Sequence, residues 1–399
     1  MSFSNVCARE FLNLLMQMPQ LVFYDANFRL EQVLLQKNLD TISEQTRNLL
    51  DARKVLAVTG LLAYYPFRSE VIAHALGVSS AVVPFALGKL LEFGLLKRQN
   101  DGRYQVIHRL VHTYARDRLR VPDGALVQLA GYYTVWAEQQ TKSGSVGRVT
   151  LAAEQKHLTV VLNHCVRHKE WSTAQNLISA IEEYLRLQGY WVELRHVCES
   201  GLEAAQAQHD KQNECKYENS LGQIHHEFGL MDQAIEHTQE VLRIAREIGD
   251  HSSEAFALSS LGTIAYQQGN EERAIQLHTQ AVAIAHEYGD SYNEALSLYH
   301  LGTIYIHKGG EWQVYSVLGE SELSKTSLAD LRRALDYLAA AATLAFDIRN
   351  ETIKGFCYGA LAFASWLLGE VDIAFQWYEK AIVTARTLGE RHSEVLWLF

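Results

Sequence analysis

Phe256, Leu258, Leu261, Ile264 and Ala265 fall at the three- and four-residue spacing of a single helix face. Gly269-Asn270 closes that predicted helix, because glycine takes the left-handed C′ conformation without a Cβ penalty. From Glu271 a second stripe follows in Ala274, Ile275, Leu277, Ala281 and Ile284; Gly289 ends it and Asp290 is placed to cap the next helix. The alternation repeats with an offset of 40 residues: Leu221-Gly222, Leu261-Gly262 and Leu301-Gly302 are in register, as are Gly229, Gly269 and Gly309. Such a period predicts a stack of helical pairs, each burying its apolar face on its neighbours. Gly262 and Ala274 are expected where paired helices cross closely.

Flanking units keep the pattern less strictly. Residues 172–210 retain Gly189 and Asp210 but carry Ile181-Glu182 in place of Leu-Gly. A later unit has Leu361-Ala362, Gly369, Ala374, Tyr378 and Ala381 offset by 60, so 20 extra residues enter near 310–330, in the turn between two paired helices. Trp312, Val314 and Tyr315 make that insertion apolar, either a partner arm or a loop packed on its own repeat. The register expects a further first helix to begin within the final EVLWLF.

Residues 43–120 show a different pattern, after a helical lead-in over 1–42. Ser43 is expected to begin a helix carrying Leu50, Val55, Leu56 and Val58. Pro66–Glu70 opens a second helix running to Gly77, and Ser79 or Ser80 caps a third with Val82, Phe85, Leu87, Leu90 and Leu91. Leu95–Arg98, Asp101-Gly102 and Arg103–Val106 then predict strand, tight turn and strand. Three helices followed by a hairpin is a winged-helix pattern. The expected fold class is therefore all-α with a small β-hairpin wing, a winged helix followed by an α-solenoid over 172–399, with a helical linker at 125–171.

Charge sharpens this division. The chain carries a net charge of −10, yet twelve Lys and Arg face five acids between residues 45 and 120. The breaker Val121-Pro122-Asp123-Gly124 marks the expected boundary of this basic unit. A basic winged helix suggests DNA, but the third helix, SSAVVPFALGKLLEFG, offers only Lys89 and no Arg, Asn or Gln to read base edges. No apolar run approaches the roughly 18 residues of a membrane span, and the N-terminus lacks a signal-peptide cleavage site. Five scattered cysteines without a C-x-x-C pair fit reduced thiols in a cytoplasmic protein.

On Leu261, Gly262, Tyr266, Gly269, Ala274 and Ala281 the repeat resembles the tetratricopeptide repeat in a longer, 40-residue form. That resemblance implies a binding face lined by the first helix of each pair: Asn219, Gln223 and His226, then Phe256, Ser259, Thr263 and Tyr266, then Leu296, Tyr299, Thr303 and Ile306, then Phe356, Phe363 and Trp366. The face grades from polar to aromatic and lacks a Lys/Asn/Arg clamp for a peptide carboxylate. The stretch LDTISEQTRNLL…LLAYYP with RYQVIHRLVHTYARDRL resembles the winged-helix subdomain of STAND (NB-ARC-type) signalling ATPases. There the resemblance gives His108 a phosphate-contacting role, although Arg109 replaces the usual acid. It also implies an ATPase portion or partner outside this chain.

No G-x-x-x-x-G-K-[ST] cradle occurs, so neither ATP nor ADP is expected to bind and no cofactor is implied. His157, His164 and His168 share a helical stripe beside Cys165, but no further ligands complete a metal site, and a linker-packing or solvated stripe is expected instead. No nucleophile–base motif is present. The sequence thus reads as a non-enzymatic interaction module that binds a protein or peptide on its repeats. The alternative is a DNA-binding regulator with a repeat sensor.

Overall fold

The structure is a computed structural model that describes residues 25–46, 50–310 and 325–388. Among the described residues there are seventeen helices and one two-stranded antiparallel sheet, an all-α architecture. Contacts divide the chain into two compact units, Met1–Asp210 and Lys211–Phe399.

The first unit opens with α1 (Asp25–Thr46), α2 (Ala52–Thr59), α3 (Ser69–Leu76) and α4 (Val83–Glu92). The hairpin β1 (Leu96–Arg98) and β2 (Tyr104–Val106) pairs Leu96 with Val106 and Arg98 with Tyr104, and α5 (Arg109–Arg118) follows. Two starts differ from expectation. Ser43 lies buried inside α1, and the next helix begins at Ala52, where the Asp51 carboxylate accepts the Arg53 N–H. The Thr46 hydroxyl accepts the Ala52 N–H at 2.9 Å, which fixes the link between them. Likewise Ser79 closes a turn by accepting the Ala81 N–H, and α4 starts only at Val83 with Pro84 in its first turn.

Helical pairs complete this unit: α6 (Ala125–Lys142) with α7 (Gly144–Arg167), and α8 (Trp171–Leu187) with α9 (Trp191–Ala207). The breaker before α6 is a turn within the unit, since α6 packs on α3, with His74 stacked on Tyr132 at 4.5 Å.

The second unit holds α10 (Lys211–Glu227) with α11 (Met231–Ile248), α12 (His251–Gln267) with α13 (Glu271–Glu287), α14 (Ser291–Gly310) with α15 (Lys325–Asp347), and α16 (Glu351–Leu367) with α17 (Val371–Leu388). The inserted residues enter between α14 and α15, and α15 takes up 325–330; Trp312, Val314 and Tyr315 lie outside the described residues.

Left-handed residues recur every 20 positions from Lys169 through Gly189, His209, Gly229, Gly249 and Gly269 to Gly289, and again at Arg349 and Gly369 beyond the insertion. The N–H after each turns back five residues, as Asp250 to the Ala245 carbonyl and Asn350 to the Ala345 carbonyl, satisfying the helix end. Lys169, His209 and Arg349 adopt this conformation without being glycine, so the turn lattice reaches further than the glycine pattern.

Packing within each pair follows the same register. A Cβ on Gly222 would meet Thr238, on Gly262 His278 and on Gly302 Leu338. The close approach expected at Gly262 is therefore real, but the residue beneath it is His278, one turn beyond Ala274. A second recurring pair joins Glu218 to His237 through a hydrogen bond of 2.6 Å and Tyr358 to Trp377 through stacked rings 5.4 Å apart. Across the turn between pairs, Arg246 meets Glu254 at 2.7 Å, His286 meets Glu294 at 2.9 Å, and Lys354 lies over the Phe346 ring. The position is conserved in geometry while its chemistry changes.

Candidate interaction surface

The first helices of neighbouring pairs lie side by side, α12 against α14 and α14 against α16. A side chain 40 residues on, or 60 across the insertion, therefore occupies the equivalent place on the next first helix. Asn219, Gln223 and His226 are half-buried on α10. Phe256, Thr263 and Tyr266 are half-buried on α12, and Tyr299 and Thr303 on α14.

Ser259 departs from the expected lining. It is 3% exposed, and its hydroxyl lies 3.2 Å from His278 Nδ1, so it belongs to the interior of its pair. It shares the register of the expected lining, but the small side chain is covered by the helix beneath.

Phe363 and Trp366 on α16 are 37% and 48% exposed, with rings stacked at 6.0 Å and 17° between planes. A three-residue spacing on one helix brings the two rings together on the same side. Neither is needed to fill the adjacent core, which Leu361, Ala364 and Leu367 supply.

Hydrogen bonds fix parts of the face between repeats. His226 Nε2 meets Gln267 Oε1 at 2.8 Å, and Tyr266 faces His307 with ring centroids 6.0 Å apart. Both links span 41 residues; Gln267 directly follows Tyr266, and His307 lies four residues after Thr303 on its helix. The period carried that signal, but an offset of 41 was hidden behind the stronger offset of 40. The Thr263 and Thr303 hydroxyls donate to the carbonyls of Ser259 and His300, leaving their oxygens able to accept.

His108 caps α5, with its Nδ1 accepting the Leu110 N–H at 3.2 Å, and burial lowers its pKa. The stripe of His157, His164 and His168 divides: the first two are buried in packing and His168 is exposed. Among the described residues no group of three or more His, Cys, Asp or Glu is arranged to hold a metal ion. Cys165, Cys198, Cys215 and Cys357 are buried and form no disulfide among the described residues, and Cys7 lies outside them.

Residues 212–287, spanning α10–α13, and residues 357–394 each match a family model described as tetratricopeptide repeat. The unmatched stretch between them contains the insertion that breaks the period. No curated protein sequence matches the chain. Solved structures similar in fold include BtubC (BKLC) from P. vanneervenii, at 15% identity over 68% of this chain and 94% of that one, with a TM-score of 0.41. A signal transduction ATPase with numerous domains, carrying a tetratricopeptide repeat sensor, from Pyrococcus horikoshii is 15% identical over 97% of this chain and 66% of that one, with a TM-score of 0.39. The apo quorum sensor NprR from B. thuringiensis is 13% identical over 73% and 74%, with a TM-score of 0.47.

Proposed function

We propose that this chain is a non-enzymatic interaction module, in which the first-helix face of α10, α12, α14 and α16 binds a protein or peptide segment. In this reading residues 43–120 form a winged helix that relays occupancy, as in STAND-type signalling proteins, with any ATPase portion supplied from outside the chain. The module works in the cytoplasm. The observation that carries the reading is the exposed, stacked Phe363–Trp366 pair, with Phe363 at the register position that half-buried Gln223, Thr263 and Thr303 occupy on the preceding first helices. The rings supply apolar anchoring, and the amide and hydroxyls supply hydrogen bonds to an extended main chain.

The helix in the reading position of a winged helix supports the protein reading over a DNA-binding regulator. On α4 the exposed side chains include Pro84, Phe85 and Glu92, and the one cation, Lys89, is paired with Glu92 at 2.8 Å. With Lys89 and Glu92 engaged to each other, this helix carries no Arg, Asn or Gln to read a base edge. Among the described residues no helix is long and apolar enough to cross a membrane.

A displayed library of random peptides selected on the full chain, followed by hydrogen-exchange footprinting of the best binder, tests the proposal. Protection should concentrate in α12, α14 and α16. Protection confined to α11, α13 and α17 contradicts the assignment of the face, and steeply salt-dependent binding of duplex DNA by the full chain favours the regulator instead.

A further inference from the structure

The loop Gly60–Pro66, between α2 and α3, is gripped from two sides. On one side is α5, whose backbone passes so close that a Cβ on Gly60 would lie 2.6 Å from Arg116 N. From the same helix His112 Nε2 donates to the Leu62 carbonyl at 2.9 Å. On the other side is α7. There the Ala63 N–H donates to His157 Nδ1 at 3.1 Å, and His157 Nε2 meets the Pro66 carbonyl at 3.1 Å. One turn pair further along, buried His164 faces the Gly60 carbonyl. Lys156 also lies over the Tyr65 ring, 3.9 Å from its centroid.

His157 is 1% exposed, and both of its ring nitrogens are committed. Accepting from Ala63 at Nδ1 leaves the only proton on Nε2, which donates to Pro66. The neutral imidazole therefore fits this place in a single tautomer. A second proton would land on Nδ1, directly against the Ala63 N–H, and put an uncompensated charge in the interior.

We propose that His157 is a proton-sensitive pin that joins α7 to the Gly60–Pro66 loop, and that its protonation releases the α6–α7 pair from the helices and hairpin of residues 52–118. The joint stands apart from the binding face and does not depend on what the repeats bind.

The charged surroundings favour release over accommodation. Arg103, from the turn between β1 and β2, faces His157, and His112 faces it from α5. Around His112 lie Arg109, Arg116 and Asp117 on α5; around His164 lie Arg116, Arg167 and His168. Asp117 is tied to Arg116 at 2.7 Å. The remaining acid, Glu154 on α7, is 3% exposed, accepts the Tyr133 hydroxyl at 3.2 Å and is held near Arg103 and Arg68. Glu154 Oε1 makes no hydrogen bond and lies 3.8 Å from Arg103, and no ion pair or hydrogen bond joins it to His157 among the described residues. Burial accordingly holds the His157 imidazole down at about 4.

Hydrogen exchange of the full chain at pH 7.5 and pH 5.0, corrected for intrinsic rates, tests the joint. Between a closed form titrating at about 4 and an open form at 6.5, opening should be favoured about 30-fold at pH 5.0. Amides of residues 60–66 and α7 should lose protection by that factor, while α8–α9 change less. The same comparison on His157→Gln, which cannot take up the proton, should show a pH response smaller by about that factor, with only the share of His164 left. Protection of the loop unchanged between the two pH values overturns the proposal, as does a pH response undiminished in His157→Gln. If that variant fails to fold, histidine-resolved NMR of the unsubstituted chain decides: His157 must titrate together with loss of Ala63 amide protection, and opening of Ala63 while His157 stays neutral overturns the joint.

Discussion

His278 lies directly beneath Gly262: a Cβ on the glycine would stand 2.8 Å from His278 Nε2. Thr238 beneath Gly222 and Leu338 beneath Gly302 occupy the same place in the flanking pairs. The contact recurs through three changes of chemistry, which marks it as a steric requirement of the pair. Gly262→Leu is therefore expected to destabilise the protein by about 1–3 kcal/mol through overpacking. Gly88→Ala, where an added Cβ meets nothing within 4 Å, should be neutral or stabilising by roughly 0.5–1 kcal/mol. Denaturant midpoints of the two variants check the contrast.

The same histidine carries an acid liability. His278 is 1% exposed, its Nε2 has no hydrogen-bond partner, and its ring stacks on His300 at 5.0 Å. Burial pushes His278 down to about 3 and His300 to about 4. Both folded values lie below the ordinary 6.5, so the unfolded chain binds more protons in this window. Stability is therefore complete above pH 6.5 and falls as the pH drops below it, by up to about 1.4 kcal/mol per pH unit for each histidine, levelling off near 4 for His300 and near 3 for His278. His278→Leu, which copies the Leu338 arrangement, should fold at pH 7 and flatten the acid limb of a stability–pH curve. An unchanged acid limb would place the liability elsewhere.

Helix ends give a third expectation. His209 and Arg349 hold φ of 55° at positions that are glycine elsewhere in the lattice. A left-handed non-glycine residue costs about 1 kcal/mol relative to glycine. His209→Gly and Arg349→Gly should each raise stability by roughly 0.5–1 kcal/mol, read from thermal unfolding, and Gly249→Arg should lower it.

These sites show which parts of the fold were legible in the sequence. Leu261-Gly262 and Gly269 announced the helical pair because close packing and a left-handed turn each admit few residue types. His209 and Arg349 were not legible as turns, since nothing in their chemistry favours that conformation and only the 20-residue lattice places them there. Ser43 and Ser79 looked like caps because serine usually caps, but Thr46, Asp51 and Pro84 set the actual starts through bonds the pattern could not rank. On the candidate face, Phe363 and Trp366 could be placed by register. Their exposure could not, because an aromatic at that spacing serves a core equally well. The packing role of His157 depended on Ala63 and Pro66, far away in sequence, so periodicity along α7 left it undecided.

Nucleotide binding gives a further check on the role of His108. Its Nδ1 is occupied as the α5 cap, and the sequence supplies no glycine-rich phosphate cradle. Calorimetric titration of the chain with ADP and Mg²⁺ should register no saturable heat. Micromolar binding that His108→Ala abolishes would make this position a nucleotide sensor in its own right.

The most direct measurement is the affinity of a selected peptide for the full chain and for Phe363→Ala/Trp366→Ala. Both side chains are partly exposed, so the double variant should keep its fold, verified by an unchanged circular dichroism spectrum and a melting temperature within a few degrees. The first-helix face requires that peptide affinity fall at least tenfold, about 1.4 kcal/mol or more, with the loss in dissociation rate. Peptides that bind the folded double variant as tightly as the unsubstituted chain would contradict the face as the binding site.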